Sequence, residues 1–221
     1  ELYDLVNDIS ETKDVSKYYP DIVNDLKELG EEARAILGDK LSDRIGTETY
    51  DVVCGVKPPL LKIEHGAIGK SIVLKNNAHK KYPGESVNAL INGLGGSINF
   101  RDQSWQGFEA EDLIATIDLG KIQKINKIQI RFLLNQVYWI FLPKKVEIEH
   151  SADGNNFELL YETYPDNNFS FEQKIVKYTI MPEEIKSRYI RVTAKNLNQC
   201  PSYHPGSGGP CWLFSDEIII N

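Results

Sequence analysis

The chain has 221 residues, of which 41% are hydrophobic and 26% are charged, and its formal net charge at pH 7 is −7. Such a composition is ordinary for a soluble globular protein, and the length allows one principal domain plus an appendage. The acidic charge, without clusters of Lys and Arg, excludes a nucleic-acid-binding surface. No apolar run approaches the roughly 20 residues needed to span a bilayer, so membrane insertion is excluded.

Residues 1 to about 38 predict a short strand followed by a helix. Glu1–Leu5 alternates apolar and polar residues, which is the period of a strand. Pro20 and Asp21 then begin a stretch with apolar residues at helical spacing, and Gly38 is placed to end it. These apolar residues are Ile22, Val23, Leu26, Leu29, Ala33 and Leu37. Because the apolar stripe is narrow, the helix needs a body to pack on, either the following domain or an upstream one.

A change of pattern divides the chain near residue 58. Residues from about 39 to 59 show no strong period, and Lys57-Pro58-Pro59 is a stiff, extended step suited to a linker. From Leu60 onward, short runs rich in Ile, Val, Phe and Tyr alternate with Gly, Asn, Asp and Pro. We therefore predict an appendage over residues 1–58 and a main domain over residues 59–221.

Short apolar runs in the main domain predict a mainly β fold. Ser151–Asn156 is a hairpin turn by composition. The runs are Ser71–Leu74, Asp112–Asp118, Lys127–Leu134, Lys145–His150, Phe157–Glu162, Ile175–Ile180, Arg188–Ala194 and Asp216–Asn221. Eight short strands separated by turn signals indicate an antiparallel β-sandwich or barrel.

Three cysteines occur, at Cys54, Cys200 and Cys211. The last two bracket a short loop rich in Pro and Gly, and a disulfide between them would contribute on the order of 2–3 kcal/mol and indicate an oxidising compartment. Two unpaired, buried thiols are the alternative. Zinc binding by these two cysteines and His204 is a poorer interpretation, because a fourth ligand and a second close pair are missing.

The opening segment contains a specific motif, formed by Glu1–Asp8, Glu11–Val15 and Lys17–Pro20. This motif resembles the C-terminal end of bacterial sulfatases, and residues 33–46 continue in the same style. The residues that carry out catalysis in that family lie far upstream, so the resemblance implies an upstream enzyme domain and no sulfatase chemistry in this chain. No signal peptide is present, and we expect the natural start to lie upstream, since residue 1 falls inside the motif.

A second, longer series of motifs runs from about Gly66 to Asn221. Its members are Gly69–Asn77, Tyr82–Gly84, Ala89–Gly93, Trp105–Glu109, Ile117–Gly120, Trp139–Pro143, Ser151–Gly154, Arg188–Val192 and Trp212–Ile218. In this order they resemble a discoidin domain, the coagulation-factor type C fold that includes family 32 carbohydrate-binding modules, as found at the ends of Bacteroidetes hexosaminidases. The resemblance implies a discoidin-like jelly roll in a periplasmic or extracellular protein.

The same resemblance implies a structural calcium site between the loop after the first strand and the C-terminal Asp-Glu-Ile. Calcium takes six to eight oxygen ligands. Mapped by position, these are carbonyls of Ala89, Leu94 and Asp216, oxygens of Ser97, and the side chains of Asn92 and Glu217. Relatives usually have Asp in place of Asn92, and the lost charge weakens affinity. The alternative is a hydrogen-bonded loop in which Glu217 accepts backbone N–H groups.

Aromatic and polar residues in the loops are candidates for sugar binding, because the C–H face of a pyranose packs on an aromatic ring. The ring candidates are Phe108, Tyr138, Trp139, Tyr203 and Trp212, whereas Trp105 and Phe141 are expected in the core. The polar candidates for bonding sugar hydroxyls are Gln106, Glu109, Asn135, Gln136 and His204. For His204, a bond that stabilises its own loop is the alternative.

No catalytic constellation is found in the sequence. Glu109 and Glu111 flank one loop, but Glu-Ala-Glu in an exposed turn is usually a solvated acidic stretch, and nucleophile, phosphate-loop and metal motifs are missing.

We therefore predict a non-catalytic carbohydrate-binding module that targets an associated exported glycoside hydrolase or sulfatase to glycans containing galactose or hexosamine. A structural or protein-interaction domain is the alternative, since fold alone does not decide function. The net charge argues against a heavily sulfated ligand, although Lys80, Lys81, Lys144 and Lys145 could offset it locally.

Overall fold

The computed structural model describes residues 1–37, 61–86, 88–183 and 185–221. The chain divides into two compact units, residues 1–56 and 57–221. Cys54, the predicted helix end at Gly38 and the predicted domain boundary near residue 58 lie outside the described residues. No helix in the described part of the chain is both long enough and apolar enough to cross a membrane.

The first unit contains one helix, α1 (Pro20–Leu37). The helix begins at the proline as predicted, because a proline's missing N–H is not needed in the first turn. The predicted strand at the start of the chain is wrong. There the Asp4 carboxylate accepts hydrogen bonds from the N–H groups of Val6 and Asn7 at 3.1 and 3.4 Å, and this local bonding closes a turn instead.

The second unit is built from short strands that are numbered here in chain order. They are β1 (Leu61–Lys62), β2 (Ser71–Leu74), β3 (Leu94–Gly95), β4 (Gln106–Glu109), β5 (Leu113–Ile125), β6 (Ile128–Asn135), β7 (Lys145–Ser151), β8 (Glu158–Thr163), β9 (Gln173–Ile180), β10 (Ile185–Lys195) and β11 (Trp212–Ile220). Two short 3₁₀ turns, Ala89–Ile91 and Gln136–Tyr138, lie between strands.

The strands form two main sheets with antiparallel pairing throughout. The five-stranded sheet has the order β2-β5-β10-β7-β8, and the four-stranded sheet has the order β4-β11-β6-β9. A small two-stranded sheet pairs β1 with β3. The predicted mainly β, antiparallel sandwich is therefore confirmed.

The core lies between the two main sheets and follows the alternation of the strands. In β5, Leu113, Ala115, Ile117 and Leu119 are fully buried, while the residues between them are partly exposed. In β11, which β4 and β6 flank, the burial is continuous from Leu213 to Ile220. One hydrophobic cluster joins these strands to β6, β7 and β10.

All eight predicted strands are present; β5 extends seven residues beyond its predicted end, and the other ends differ by four residues or fewer. The strands that the sequence did not predict are β1, β3 and β4. β1 and β3 have two residues each, and β4 reads Gln-Gly-Phe-Glu, which lacks an apolar alternation. The pairing of β4 with β11, rather than its own pattern, makes it a strand.

Candidate functional site

A pocket of about 400 Å³, here called the aromatic pocket, opens beside β11. Its lining residues are Lys81, Tyr82, Phe100, Arg101, Tyr138, Ile140, Trp212 and Phe214. The Tyr82 ring lies edge-on to the rings of Trp212 and Phe214, with centroids 5.2 and 4.8 Å apart. The Tyr138 ring packs against Phe100 at 4.7 Å and is 50% exposed, so it offers a ring surface to solvent.

Backbone hydrogen bonds hold the Tyr138 segment against β11. The Trp139 N–H donates to the Gln136 carbonyl at 2.9 Å, and Trp139 adopts a left-handed backbone with φ 64° that ends the 3₁₀ turn. The Trp212 N–H donates to the Trp139 carbonyl, and the Phe141 N–H donates to the Trp212 carbonyl, both at 2.9 Å. Tyr138 and Trp212 therefore share one pocket although they are far apart in the sequence.

Two cationic side chains lie at the rim of the aromatic pocket. The Arg101 guanidinium carbon is 4.9 Å from the Phe100 ring centroid and 5.9 Å from that of Tyr138. The Lys81 Nζ is 5.4 Å from the Tyr82 ring centroid. These distances are typical of cation–π contacts. An adjoining cavity of about 570 Å³ shares the residues Lys81, Tyr82 and Arg101.

Four of the five ring candidates, all except Phe108, fall into two groups. Tyr138 and Trp212 line the aromatic pocket. Trp139 and Tyr203 are exposed, by 39% and 42%, but do not line it. Trp139 packs edge-on against His204 at 5.9 Å, and Tyr203 packs against Phe169 at 5.9 Å.

Most of the polar candidates are buried, which corrects their predicted contact with a ligand. Gln106 donates to the Pro83 carbonyl at 3.0 Å. Gln136 donates to the Asn168 carbonyl and accepts from the Ser170 N–H, both at 3.0 Å. The buried candidates are Gln106, Asn135, Gln136 and His204. The amides of Gln106 and Gln136 satisfy loop backbone groups that would otherwise be buried without partners, so their role is to shape the loops.

The remaining sugar-binding candidates are also buried, or they lie outside the aromatic pocket. The His204 Nδ1 accepts a hydrogen bond from the Gly206 N–H at 3.0 Å, which is the loop-stabilising alternative, and its Nε2 lies 2.8 Å from the Gln136 carbonyl oxygen. Phe108 is 1% exposed and belongs to the main core, as its inward position in β4 requires. Glu109 is partly buried, 3.9 Å from the His79 Nε2, and does not line the aromatic pocket. Trp105 and Phe141 are buried as predicted.

Sequence reasoning did not assign six of the pocket residues to the site. They are Lys81, Tyr82, Phe100, Arg101, Ile140 and Phe214. Tyr82 belonged to a motif of the family resemblance and Lys81 was noted only for its charge, whereas Phe100 and Arg101 lie in a loop without periodicity. The only local signal for the site was the adjacent aromatic and cationic residues at Lys81-Tyr82 and Phe100-Arg101.

Comparison with known proteins identifies the second unit. The sequence model of the F5/8 type C domain matches residues 75–207, which is more than half of the chain. The chain belongs to the F5/8 type C domain family. This confirms the discoidin resemblance, and it agrees with the prediction that the chain is not an enzyme. A search of curated proteins found no sequence that matches.

Solved structures similar to this F5/8 type C domain include modules of bacterial enzymes. Chitosan-binding module 1 from a chitosanase/glucanase of Paenibacillus sp. IK-5 is 12% identical, with a TM-score of 0.44 over 72% of this chain and 98% of that chain. CpGH89CBM32-6 of Clostridium perfringens is 19% identical, with a TM-score of 0.43 over 72% and 98%. CBM32-1 from a family 31 glycoside hydrolase of C. perfringens is 18% identical, with a TM-score of 0.44 over 69% and 93%. At these identities the similarity concerns the fold alone.

Of the predicted calcium ligands of the F5/8 type C domain, Asn92 and Leu94 lie in a loop beside Glu217, which is fully buried in β11. Its carboxylate accepts hydrogen bonds from the N–H groups of Gly93 and Leu94, at 3.1–3.2 Å, and lies 2.8 Å from the His65 Nε2. The Asn92 Oδ1 also accepts from the Leu94 N–H, at 2.9 Å. This is the hydrogen-bonded arrangement that the sequence left open as the alternative. Such a set of oxygens also suits a hard cation, so calcium stays a prediction.

A buried ion pair lies beside that loop. The Arg131 Nη2 is 3.0 Å from the Asp216 Oδ2, which also accepts a hydrogen bond from the Gly96 N–H at 2.7 Å. Burial raises the pKa of Asp216 to about 7 even though Arg131 lies beside it. The Asp216 Oδ1 is buried and has no hydrogen-bond partner among the described residues, so it is the one carboxylate oxygen here that a cation could contact without competing with an N–H donor.

The Pro/Gly-rich loop carries free thiols, not the predicted disulfide. Cys200 and Cys211 are both buried and pack with Phe141, and burial raises the pKa of Cys211 to about 12. The Cys211 thiol donates to the Asn196 Oδ1 at 3.2 Å, so it is satisfied without a partner sulfur. Zinc binding receives no support, because both ring nitrogens of His204 are engaged and the described residues contain no suitable group of three metal-binding side chains.

Proposed function

We propose that this F5/8 type C domain is a carbohydrate-binding module whose site is the aromatic pocket. The observation that carries the proposal is the half-exposed Tyr138 ring, which lies beside Trp212 in a pocket of about 400 Å³. A pocket of this size suits a small-molecule unit such as one sugar residue. The ring faces pack on pyranose C–H groups, and the Tyr82 hydroxyl at the wall is a donor and acceptor for sugar hydroxyls.

The neighbouring loops support this assignment because they hold the pocket in shape before a ligand arrives. The amide of Gln136 bonds the loop that carries Asn168 and Ser170, and the ring of Tyr82 is packed between Trp212 and Phe214. A preformed wall reduces the conformational entropy that binding must overcome. The pocket is open, so we expect weak binding of a glycan end or a short glycan segment.

The proposal extends to the setting in which the module works. The first fifty residues resemble the C-terminal end of bacterial sulfatases, so we propose that the module follows an exported glycoside hydrolase or sulfatase in the periplasm or outside the cell. Glycans with galactose or hexosamine are the ligands we propose to examine first. Calcium would serve a structural role in the loop around Glu217.

The test is a glycan-array screen followed by titration of the best glycan with variants. Tyr138→Ala should weaken binding about five- to tenfold, because one stacked ring contributes about 1–1.4 kcal/mol, whereas Tyr138→Phe should retain most of the affinity. Tyr18→Ala, which removes an exposed ring from the first unit, is the control. Equal affinity of Tyr138→Ala and the unaltered chain for the glycan would show that the aromatic pocket is not the sugar-binding site.

A further inference from the structure

The aromatic pocket has a charge that is unusual for this protein. Lys81 and Arg101 line it, and among the described residues no Asp or Glu does. The whole chain carries a net charge of −7, so a lining with two cations and no acid is a local exception. Both side chains are exposed at the rim, where a ligand can reach their charged groups.

Neither cation is neutralised within the described part of the chain. The other cations of the second unit that form ion pairs include Arg131, Lys145, Arg188, Arg191 and Lys195, whereas Lys81 and Arg101 form none with a described carboxylate. Of the two acids in the adjoining cavity, Asp102 accepts a hydrogen bond from the Ser97 N–H at 2.8 Å, and Glu85 is exposed. The two positive charges are therefore available to a ligand.

The Arg101 guanidinium is also held in place. Its carbon lies within 4.9 Å of the Phe100 ring and 5.9 Å of the Tyr138 ring, and Tyr138 is the ring that we propose to stack on the sugar. A guanidinium held by rings can still use the N–H groups at its edge, and these match the paired oxygens of a carboxylate or a sulfate. A sugar on Tyr138 would thus place its substituents beside a preorganised anion receptor.

The overall charge limits which anions fit. A chain with a net charge of −7 repels a long, dense polyanion, and two cations at one pocket do not form the extended basic surface that such a ligand needs. Screening at physiological salt confines the attraction to about 8 Å. A single charged group on the bound sugar is the chemistry that satisfies both conditions.

We propose that the aromatic pocket selects a sugar that carries one anionic group, a sulfate or a carboxylate, which Arg101 and Lys81 recognise while the ring stacks on Tyr138. This inference rests on the proposed function and specifies the class of ligand. Sulfate and carboxylate share the oxygen pair that the guanidinium binds, and the experiment separates them.

The experiment uses the full chain and calorimetric titration with the methyl glycosides of galactose, galactose 6-sulfate and galacturonic acid. At low salt, at least one of the two acidic sugars should bind about tenfold more tightly than galactose, since a charge-assisted hydrogen-bonded pair contributes about 1.4 kcal/mol or more. Added salt should reduce that difference and leave galactose binding nearly constant. The stronger of the two acidic sugars identifies the anion.

Matched variants locate the effect. In Arg101→Gln, the ratio of the galactose Kd to the acidic-sugar Kd should fall to about one, and in Lys81→Gln the ratio should fall part of the way. Arg101→Lys, which keeps the charge but lacks the paired N–H groups, should give an intermediate ratio. Lys121→Gln is the control, because Lys121 is an exposed cation of β5 that does not line the pocket.

Each outcome separates this inference from the proposed function. Equal affinity for galactose and both acidic sugars overturns the anion inference but does not affect the proposal that the chain is a carbohydrate-binding module. A preference for acidic sugars that survives in Arg101→Gln overturns the assignment to this pocket. Binding of none of the three sugars, together with an array without any bound glycan, overturns the proposed function and this inference with it.

Discussion

Single side chains on the five-stranded sheet form charged pairs whose strength depends on pH. The Arg188 Nε and Nη2 atoms donate to the two oxygens of Asp118 at 2.7 and 2.8 Å, which is a two-point contact between β10 and β5. The hydrogen bonds from Arg188 lower the pKa of Asp118 from 3.8 to about 2. A carboxyl group with a lowered folded-state pKa stabilises the fold above its unfolded pKa, and this stabilisation is lost as the pH falls through the folded pKa.

We expect Asp118→Asn to lower the free energy of unfolding by about 1 kcal/mol at pH 7, because the pair is partly exposed and solvent weakens it. The difference from the unaltered chain should shrink as the pH falls from about 4 towards 2. Urea unfolding at several pH values measures this difference in the free energy of unfolding. Glu111→Gln removes the same charge from an exposed residue and is the control. A difference that does not change with pH would argue against the ion pair as the cause.

At the scale of elements, the loop that runs from the 3₁₀ turn Ala89–Ile91 through β3 to Gly96 depends on β11. Glu217 and Asp216, next to each other in β11, accept hydrogen bonds from the N–H groups of Gly93, Leu94 and Gly96. Two consecutive buried carboxylates in one strand are costly unless they are paired, and here each receives donors from this loop. The loop is therefore held by charge-assisted bonds to a central strand.

The same elements allow a test of the calcium proposal. Millimolar calcium, compared with a chelator, should raise the Tm of the chain, because a ligand that binds only the folded state stabilises it. Asn92→Asp should raise Tm further in calcium, since the added charge strengthens a calcium site. Thermal unfolding followed by circular dichroism measures both effects, with magnesium as the control ion. If calcium raises the Tm of neither the unaltered chain nor Asn92→Asp, the calcium proposal is wrong and hydrogen bonds alone hold the loop.

At the scale of the whole molecule, the main hydrophobic core belongs to the second unit alone. Every buried residue of its largest cluster lies between Ala67 and Ile220, and both main sheets are complete within that unit. The first unit contributes none of the described residues that line the aromatic pocket.

We expect a chain that begins at residue 57 to fold by itself, because it retains the complete core and both main sheets. Its far-ultraviolet circular dichroism should be that of an antiparallel β protein, and its thermal unfolding should be a single cooperative transition. Sugar affinity should match that of the full chain. A shortened chain that unfolds without cooperativity, or that binds sugar differently, would show that the first unit contributes to this domain.

Local periodicity in the sequence was enough to predict most of the secondary-structure elements. The alternation of apolar residues predicted strands such as β2 and β5, and the proline at Pro20 predicted the start of α1. The sequence also predicted Tyr138 and Trp212 as ring candidates, since both are aromatic residues in loop segments. The strand prediction failed at Glu1–Leu5, where hydrogen bonds to the Asp4 carboxylate close a turn in spite of a weak apolar-polar alternation.

The side chains that line the aromatic pocket are brought together by the tertiary fold. Arg101 and Tyr138 share a pocket because their loops meet in space, and no local pattern records such a contact. Likewise, Gln136 is polar and was expected to bind sugar, yet it is buried because distant loop groups at Asn168 and Ser170 use its hydrogen bonds. Periodicity reports which face of a strand is buried, whereas exposure at loop ends depends on long-range packing and on the hydrogen-bond partners that packing brings together.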